Sequence, residues 1–348
     1  MEYKMLADVD FASNIDERVF VIFLAKEVAV LPQKNGQQFI SITMKHKNLE
    51  INAKQFGVSQ EDIDKVKEGK VYNAAIDIKP YAKSSTGWGC TIYNIEENTQ
   101  LQAMHFVEWA DGMIEAQEVI NKTLAIISES EYRDIVYNIL SEYWQDFFVW
   151  SAASGMHHNV LGGLLVHTAE VIEICDILSD LWNTKYDTTF INKPLLLSAA
   201  LLHDLSKIDE LNVDKLTGKT DYSTHSALAT HTMDMLSKID VHAYRLGLGR
   251  QIDSQDSNAD LKTKDEIREE IEMINILKHC IAAHHGKLEY GATILPHTPE
   301  AYLLNRADEI SAEMYKYNKE FRNMDSASSS HNWTSAGINV VYKDGSKI

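Results

Sequence analysis

The periodicity of the apolar residues changes once along this chain, near Asn98, and that change constrains the fold more than any single motif. Before it, apolar and polar residues alternate in short runs: VFVIFLAKEVAV, QQFISITMKH, LEINAKQF, VYNAAIDIKPYA and GCTIYNIEE. Turn-forming stretches such as Gln33-Lys34-Asn35-Gly36 and Ser84-Ser85-Thr86-Gly87 separate them. After it, apolar residues recur every three to four positions over 107–128, 130–150, 159–182, 194–206, 225–238, 264–285 and 299–322. Strand and helix patterns that are segregated rather than interleaved point to separate units. The chain is therefore predicted to be multi-domain, a small β-barrel followed by an all-α domain. The expected boundaries are 1–100 for the barrel, 101–150 for a helical linker, 151–325 for the helical domain and 326–348 for a C-terminal tail.

Within the first segment, five strands with one helical interruption, Ser59 to Gly69 between the third and fourth, resemble an oligonucleotide-binding (OB) barrel. A generic β-domain used for docking has the same pattern. Tyr81, Trp88 and Tyr93 fall on the late strands, where an OB barrel could stack bases on them, although core packing explains each ring as well. Trp88, between Gly87 and Gly89 and preceded by Lys83, is expected as an exposed platform. In the helical segment, Pro194 and the run Thr298-Pro299 mark helix starts. The polar stretch Gly249 to Glu266 is expected to be a long mobile loop.

Composition narrows the class. An apolar fraction of 45% with 24% charged residues excludes a disordered chain, and three widely spaced cysteines (Cys90, Cys175, Cys280) provide neither a disulfide framework nor a thiolate zinc site. The formal charge is −18, yet residues 1–100 hold 12 basic and 14 acidic side chains, so nearly all the excess lies beyond them. A polyanion is repelled least by the N-terminal unit. The acidic N-terminal residues do not read as a secretory signal, and no run of ~18 apolar residues suggests a membrane span. The expectation is a cytoplasmic protein without membrane contact.

Ten of the fourteen histidines lie between His157 and His285. The sharpest feature is Ala199-Ala200-Leu201-Leu202-His203-Asp204, an apolar helix ending in an adjacent imidazole and carboxylate. Neighbouring helical positions point about 100° apart, so the pair can grip two sides of a metal cluster. His167 in GGLLVHT, His231 in ALATHTMDM, His284-His285 in IAAHHGKLEYG and Asp308 in LLNRADEISAEM each interrupt an apolar stripe on a separate predicted helix. Isolated polar groups buried there would cost several kcal/mol unless they satisfied one another or a cation.

The ordered set His167, His203-Asp204, His231, His284 or His285, and Asp308 resembles the HD-domain superfamily of metal-dependent phosphohydrolases in its two-metal form. AASGMHHNVLGGLLVHT (Ala152 to Thr168), AALLHDLSKIDEL (Ala199 to Leu211) and HHGKLEYGATILPHTPEA (His284 to Ala301) are similar to the matching segments of the YhaM-type 3′-5′ exoribonucleases, which join an OB-fold to an HD domain. The chain departs from that pattern at Ser206, where a glycine is usual, and at Val166, where an acid is usual; neither is a proposed ligand. His225 competes with His231.

The resemblance implies a metal-dependent 3′-5′ exonuclease acting on single-stranded RNA, with single-stranded DNA and a homo-oligomer left open. It implies two divalent cations, Mn²⁺ first, then Co²⁺, Fe²⁺ or Zn²⁺. His167, His203, Asp204 and Asp308 would hold one cation, with Asp204 bridging, and His231, His284 and His285 the other. Lys207 would meet a phosphate oxygen or assist proton transfer, and His157 and His158 would hold a phosphate or protonate the leaving oxygen. Lys287 would attract the strand at the mouth of the site, and Tyr81, Lys83 and Trp88 would contact it on the barrel. The competing functions are a nucleotide phosphohydrolase and an inactive nucleic-acid-binding scaffold.

Overall fold

The computed structural model describes residues 3–342 apart from 16, 48, 85, 156–157, 187–188, 252–261, 327–332 and 337–338. Two compact units form: Met1–Trp109 with Asp214–Lys219, and Ala110–Val213 with Thr220–Ile348.

The strands of the first unit are β1 (Lys4–Met5), β2 (Arg18–Pro32), β3 (Gln38–His46), β4 (Leu49–Gln55), β5 (Val71–Pro80) and β6 (Trp88–Glu97). Their order is β1-β2-β3-β4-β6-β5, and pairing of β2 with β5 closes the sheet. Apart from the two-residue β1, this is a closed five-stranded barrel of OB type, as the alternating runs predict. The fifteen-residue β2 serves two neighbours: Arg18–Leu24 pair with β5 and Leu24–Pro32 with β3. Its register slips between Ala25 and Glu27, a bulge that bends the strand around the barrel. Val21, Phe23, Ile40, Ile42, Met44, Ile51, Ala53, Ile76 and Ile78 fill the interior. Helix α1 (Gln60–Lys65) sits between β4 and β5, started by a reciprocal Ser59–Asp62 capping box.

The second unit contains α2 (Met113–Ile127), α3 (Arg133–Phe147), α4 (Gly163–Tyr186), α5 (Lys193–Leu202), the short α6 (Lys207–Glu210), α7 (His231–Arg245), α8 (Lys264–Ala283) and α9 (Pro299–Ser326). Two small hairpins, β7 (Leu211–Val213) with β8 (Thr220–Tyr222) and β9 (Trp333–Ala336) with β10 (Asn339–Tyr342), are additions that helical periodicity does not foresee. The segment read as a helical linker supplies α2 and α3, whose Ile120, Ile127, Ile135 and Ile139 join the same core as α4, α5, α8 and α9. The polar stretch expected as a mobile loop falls mostly on 252–261, outside the described residues.

Helix α5 positions the site. Leu195 through Leu202 are buried on every side, and a helix apolar all round has to be surrounded; α2, α4, α8 and α9 pack against it. Asn192 caps its start by accepting from the Leu195 amide at 3.1 Å, and Pro194 lies in the first turn. The helix therefore delivers His203 and Asp204 into the interior, where both are buried. Burial of each α5 leucine contributes roughly 1.5–3 kcal/mol and offsets the cost of bringing those polar groups inside. Among the described residues, no helix is long and apolar enough to cross a membrane.

Candidate metal centre

Five helices bring the candidate ligands together. His167 lies in the second turn of α4, His203 and Asp204 follow α5, His231 opens α7, His284 and His285 follow α8, and Asp308 lies within α9. The ligand atoms of His167, His203, Asp204 and Asp308 fall within 4.8 Å of one another, and so do those of His231, His284 and His285.

Asp204 stands between these groups. Its Oδ2 is 3.2 Å from His167 Nε2 and 3.4 Å from His203 Nε2, while its Oδ1 is 3.4 Å from His231 Nε2 and 3.8 Å from His284 Nε2. Asp308 Oδ1 lies 3.2 Å from His167 Nε2, and His285 Nε2 lies 3.2 Å from His231 Nε2.

The orientation of the rings follows from where the helices end. An α-helix leaves its last carbonyls without intrahelical partners. His203 and His284 are the C-cap residues of α5 and α8, and each ring turns Nδ1 to a carbonyl three residues back, Ala200 O at 2.8 Å and Ile281 O at 2.6 Å. His167 Nδ1 donates to Ser311 Oγ at 2.9 Å, and Ser311 in turn donates to Glu170 at 2.6 Å. His231 Nδ1 donates to the Glu210 carboxylate. With Nδ1 engaged in all four rings, the Nε2 atoms face the centre, the orientation that metal ligation requires.

A cation fits this arrangement. Asp204 Oδ1 and His284 Nε2 are buried without hydrogen-bond partners, which would cost about 1–3 kcal/mol each if nothing satisfied them. Burial, reinforced by His285 and His203, pushes the His284 pKa well below the usual histidine range, so this imidazole is a neutral donor. Burial opposes ionisation of Asp204, but Lys207 and His203 outweigh it and hold the carboxyl well below its usual range. At His167, burial likewise disfavours the charge, yet Asp204 and Asp308 raise the pKa to about 9. Two carboxylates among five imidazoles form an all-nitrogen and oxygen donor set, whereas all three cysteines are free and buried.

The remaining sequence candidates divide. Lys207 does not stand free to meet a phosphate: its Nζ is bonded to Asp204 Oδ2 at 2.6 Å. His158 is buried with its ring 4.2 Å from that of Tyr315 and 5.3 Å from that of His167, and its Nε2 lies 3.3 Å from Glu170. His157 lies outside the described residues. His225 is paired with Asp234 at 2.7 Å and is not in either ligand group. Lys287 is exposed, its Nζ 4.9 Å from the centre of the Tyr290 ring.

On the barrel, Trp88 departs from expectation: it is only partly exposed, packing against the core with its ring 6.1 Å from that of Phe11. Of the flanking glycines, Gly89 makes room for the Tyr81 side chain. Tyr81, Lys83 and Tyr93 are exposed, with the Arg18 guanidinium 3.7 Å above the Tyr93 ring.

Sequence reasoning missed Glu210, Ser311, Glu170 and Asn305, which hold the ligands rather than supply them. Asn305 donates to His284 O at 2.8 Å. Glu210, in the same His203–Leu211 run as the ligands, was the one with a local signal.

No protein-family model matches the chain. It is 26% identical over 302 residues to a 3′-5′ exoribonuclease YhaM of Geobacillus sp. (strain WCH70), covering 86% of this chain and 84% of that one. Proteins of the same description from Listeria welshimeri (25% identical; 92% and 91% covered) and Bacillus pumilus (24%; 89% and 88%) are similar over a comparable span. The resemblance to YhaM-type proteins drawn from the motifs thus extends over most of the chain, barrel and helical unit alike.

Proposed function

We propose that this chain is a metal-dependent 3′-5′ exoribonuclease of single-stranded RNA, with residues 151–325 as its HD domain and two divalent cations at the centre. The observation that carries the reading is Asp204, whose two oxygens each face a different group of nitrogen donors, with Oδ1 lacking a hydrogen bond. His167, His203, Asp204 and Asp308 would hold one cation, and His231, His284, His285 and Asp204 the other. Mn²⁺ is the first choice, and Co²⁺, Fe²⁺ and Zn²⁺ suit the same donors. Bound there, two cations supply Lewis acidity toward the phosphodiester and activate water as a nucleophile near neutral pH.

The chain's own residues build the frame for that chemistry. Lys207 holds Asp204 Oδ2 and offsets its charge, a positioning role in place of the substrate contact expected from sequence. Glu210, Ser311 and the Ala200 and Ile281 carbonyls fix the four rings so that the nitrogens need no reorganisation when a cation binds. The 3′-5′ polarity and the RNA substrate follow from similarity to proteins described that way over most of their length.

The test is incubation of the Mn²⁺-loaded protein with a 5′-labelled oligoribonucleotide, the matching oligodeoxynucleotide and nucleoside monophosphates. A ladder of products shortened from the 3′ end supports the reading. An intact oligomer beside hydrolysed mononucleotide would favour the nucleotide phosphohydrolase, and no turnover of either would favour the inactive scaffold.

A further inference from the structure

Helix α4 carries an outward row of side chains that is complementary to itself when reversed. Its inner side is buried through Val171, Ile172, Cys175 and Ser179. On the opposite side Glu173, Ile177, Leu181 and Lys185 follow one another at intervals of four, and i, i+4 positions form a single ridge along an α-helix. All four are exposed, Ile177 at 66% and Leu181 at 52%. Ile174 and Leu178, partly exposed beside them, widen the apolar part. Charges border it: Lys193 holds Asp176 at 2.7 Å and Asp180 at 2.8 Å, and the Lys185 ammonium stands 5.1 Å from the centre of the Trp182 ring. A surface helix ordinarily presents polar side chains outward, so adjoining apolar residues inside a charged rim mark a contact surface.

The order of the row selects the occupant. Read along α4 it is acid, apolar, apolar, base, with its midpoint at the level of Ser179. Laid antiparallel on a second copy, it sets Glu173 against Lys185 at both ends and Ile177 against Leu181 twice between them. A two-fold axis requires this self-complementarity, because residue i meets j wherever j meets i. Packing through i, i+4 ridges is also the commonest way in which helices meet, at a crossing angle of about −50°. Within one helix Glu173 and Lys185 are roughly 18 Å apart, too far to pair, so their charges complement each other only between copies. We propose that this face of α4 is the seam of a homodimer, in which two copies of the chain meet antiparallel through Glu173, Ile177, Leu181 and Lys185. The axis falls roughly 18 Å along α4 from His167, clear of the metal centre, and the inference does not depend on the nuclease reading.

Sedimentation velocity of the full chain over a concentration series measures the dimer Kd. Leu181→Glu, which acts twice at a two-fold seam, is expected to raise that Kd at least about tenfold. Glu173→Lys alone and Lys185→Glu alone each bring like charges together at both ends and should do the same. Glu173→Lys/Lys185→Glu in one chain reinstates the attraction and should return the Kd to within about threefold of the parent. An equimolar mixture of the two single reversals should recover dimers as well, since each protein then supplies the charge that the other lacks; a damaged fold in either would not give that recovery. Mn²⁺-dependent hydrolysis of bis(p-nitrophenyl) phosphate should be equal in all the variants. A parent that stays monomeric overturns the proposal and leaves the face to a different protein. A dimer unaffected by the three single substitutions overturns it in favour of another face, and loss in the reversals without recovery in the mixture overturns the antiparallel order. Failure of the nuclease reading appears differently, as absent diester hydrolysis in the parent with the dimer intact.

Discussion

Glu210 accepts two hydrogen bonds from His231, one from the ring Nδ1 and one from the backbone amide at 3.4 Å, whereas Nδ1 of His167 is bonded to a hydroxyl and those of His203 and His284 to backbone carbonyls. The difference matters because the two candidate cation positions are unequally charged. One is faced by Asp204 and Asp308, and the other by three imidazoles and a single oxygen of Asp204. A carboxylate behind His231 raises the donor strength of the poorer position. Glu210→Gln is expected to weaken the second cation about tenfold, and Glu210→Ala up to about a hundredfold, while sparing the first. Titration with Co²⁺ followed by visible absorption separates the two steps; equal weakening of both would show that Glu210 does not act through His231.

Asp204→Asn removes the negative charge between the two ligand groups without changing shape. Hydrolysis of RNA is expected to fall by at least about a thousandfold, as expected when one group serves both cations. The substitution also leaves Lys207, which is mostly buried, without its anionic partner, so the metal-free protein should lose about 1–3 kcal/mol. Calorimetry should therefore show one folded transition at a lower Tm, and an unchanged Tm would mean that the Lys207–Asp204 pair adds nothing to stability.

Helix α4 can begin where it does only because residue 163 lacks a side chain. A Cβ at Gly163 would stand 2.0 Å from the His158 carbonyl oxygen, itself bonded to the Ala152 amide at 3.0 Å. Gly163→Ala must displace either the loop or the first turn carrying His167. We expect a loss of about 1–3 kcal/mol, the usual range for overpacking, together with weaker binding of the first cation. Chemical denaturation and Co²⁺ titration of the same variant test the two effects separately.

Removing divalent cations should lower the Tm, because Asp204 Oδ1 and His284 Nε2 are then left buried without partners. At a cation concentration one hundred times Kd, the expected stabilisation is about 2.7 kcal/mol. A thermal scan in chelator, followed by add-back of Mn²⁺, checks it: the Tm should recover with Mn²⁺ and not with K⁺.

In the barrel, Glu50 is held by Lys26 at 2.8 Å and Lys45 at 3.0 Å. Partial burial raises its pKa, but the two ammonium groups outweigh this and leave it below the usual glutamate value. A lowered folded-state pKa means the stabilisation is present above about pH 4.5 and is lost as the pH falls through the lower folded value. The side chain is about a third exposed, so solvent screening limits the effect to less than about 1 kcal/mol. Glu50→Gln should thus be slightly less stable than the parent at pH 7, with the gap closing toward pH 3 in urea unfolding series.

The sequence by itself determined the strands of the barrel, the long helices that follow them and the polar side chains that break apolar stripes, though not the two small hairpins. Both periodicities are local, and a polar residue on a stripe that must be buried announces itself without neighbours being known. The alternating runs thus delimit the five barrel strands, and His167, His203, Asp204, His231, His284, His285 and Asp308 stand out by type and place. Tertiary structure alone decided what each group faces. It put His231 rather than His225 beside Asp204, turned Lys207 onto Asp204 instead of outward, packed Trp88 against Phe11 and set Phe39 beside Phe56. These outcomes depend on distances between residues far apart in the chain, set when apolar surfaces such as those of α5 close on one another, and no local pattern encodes them.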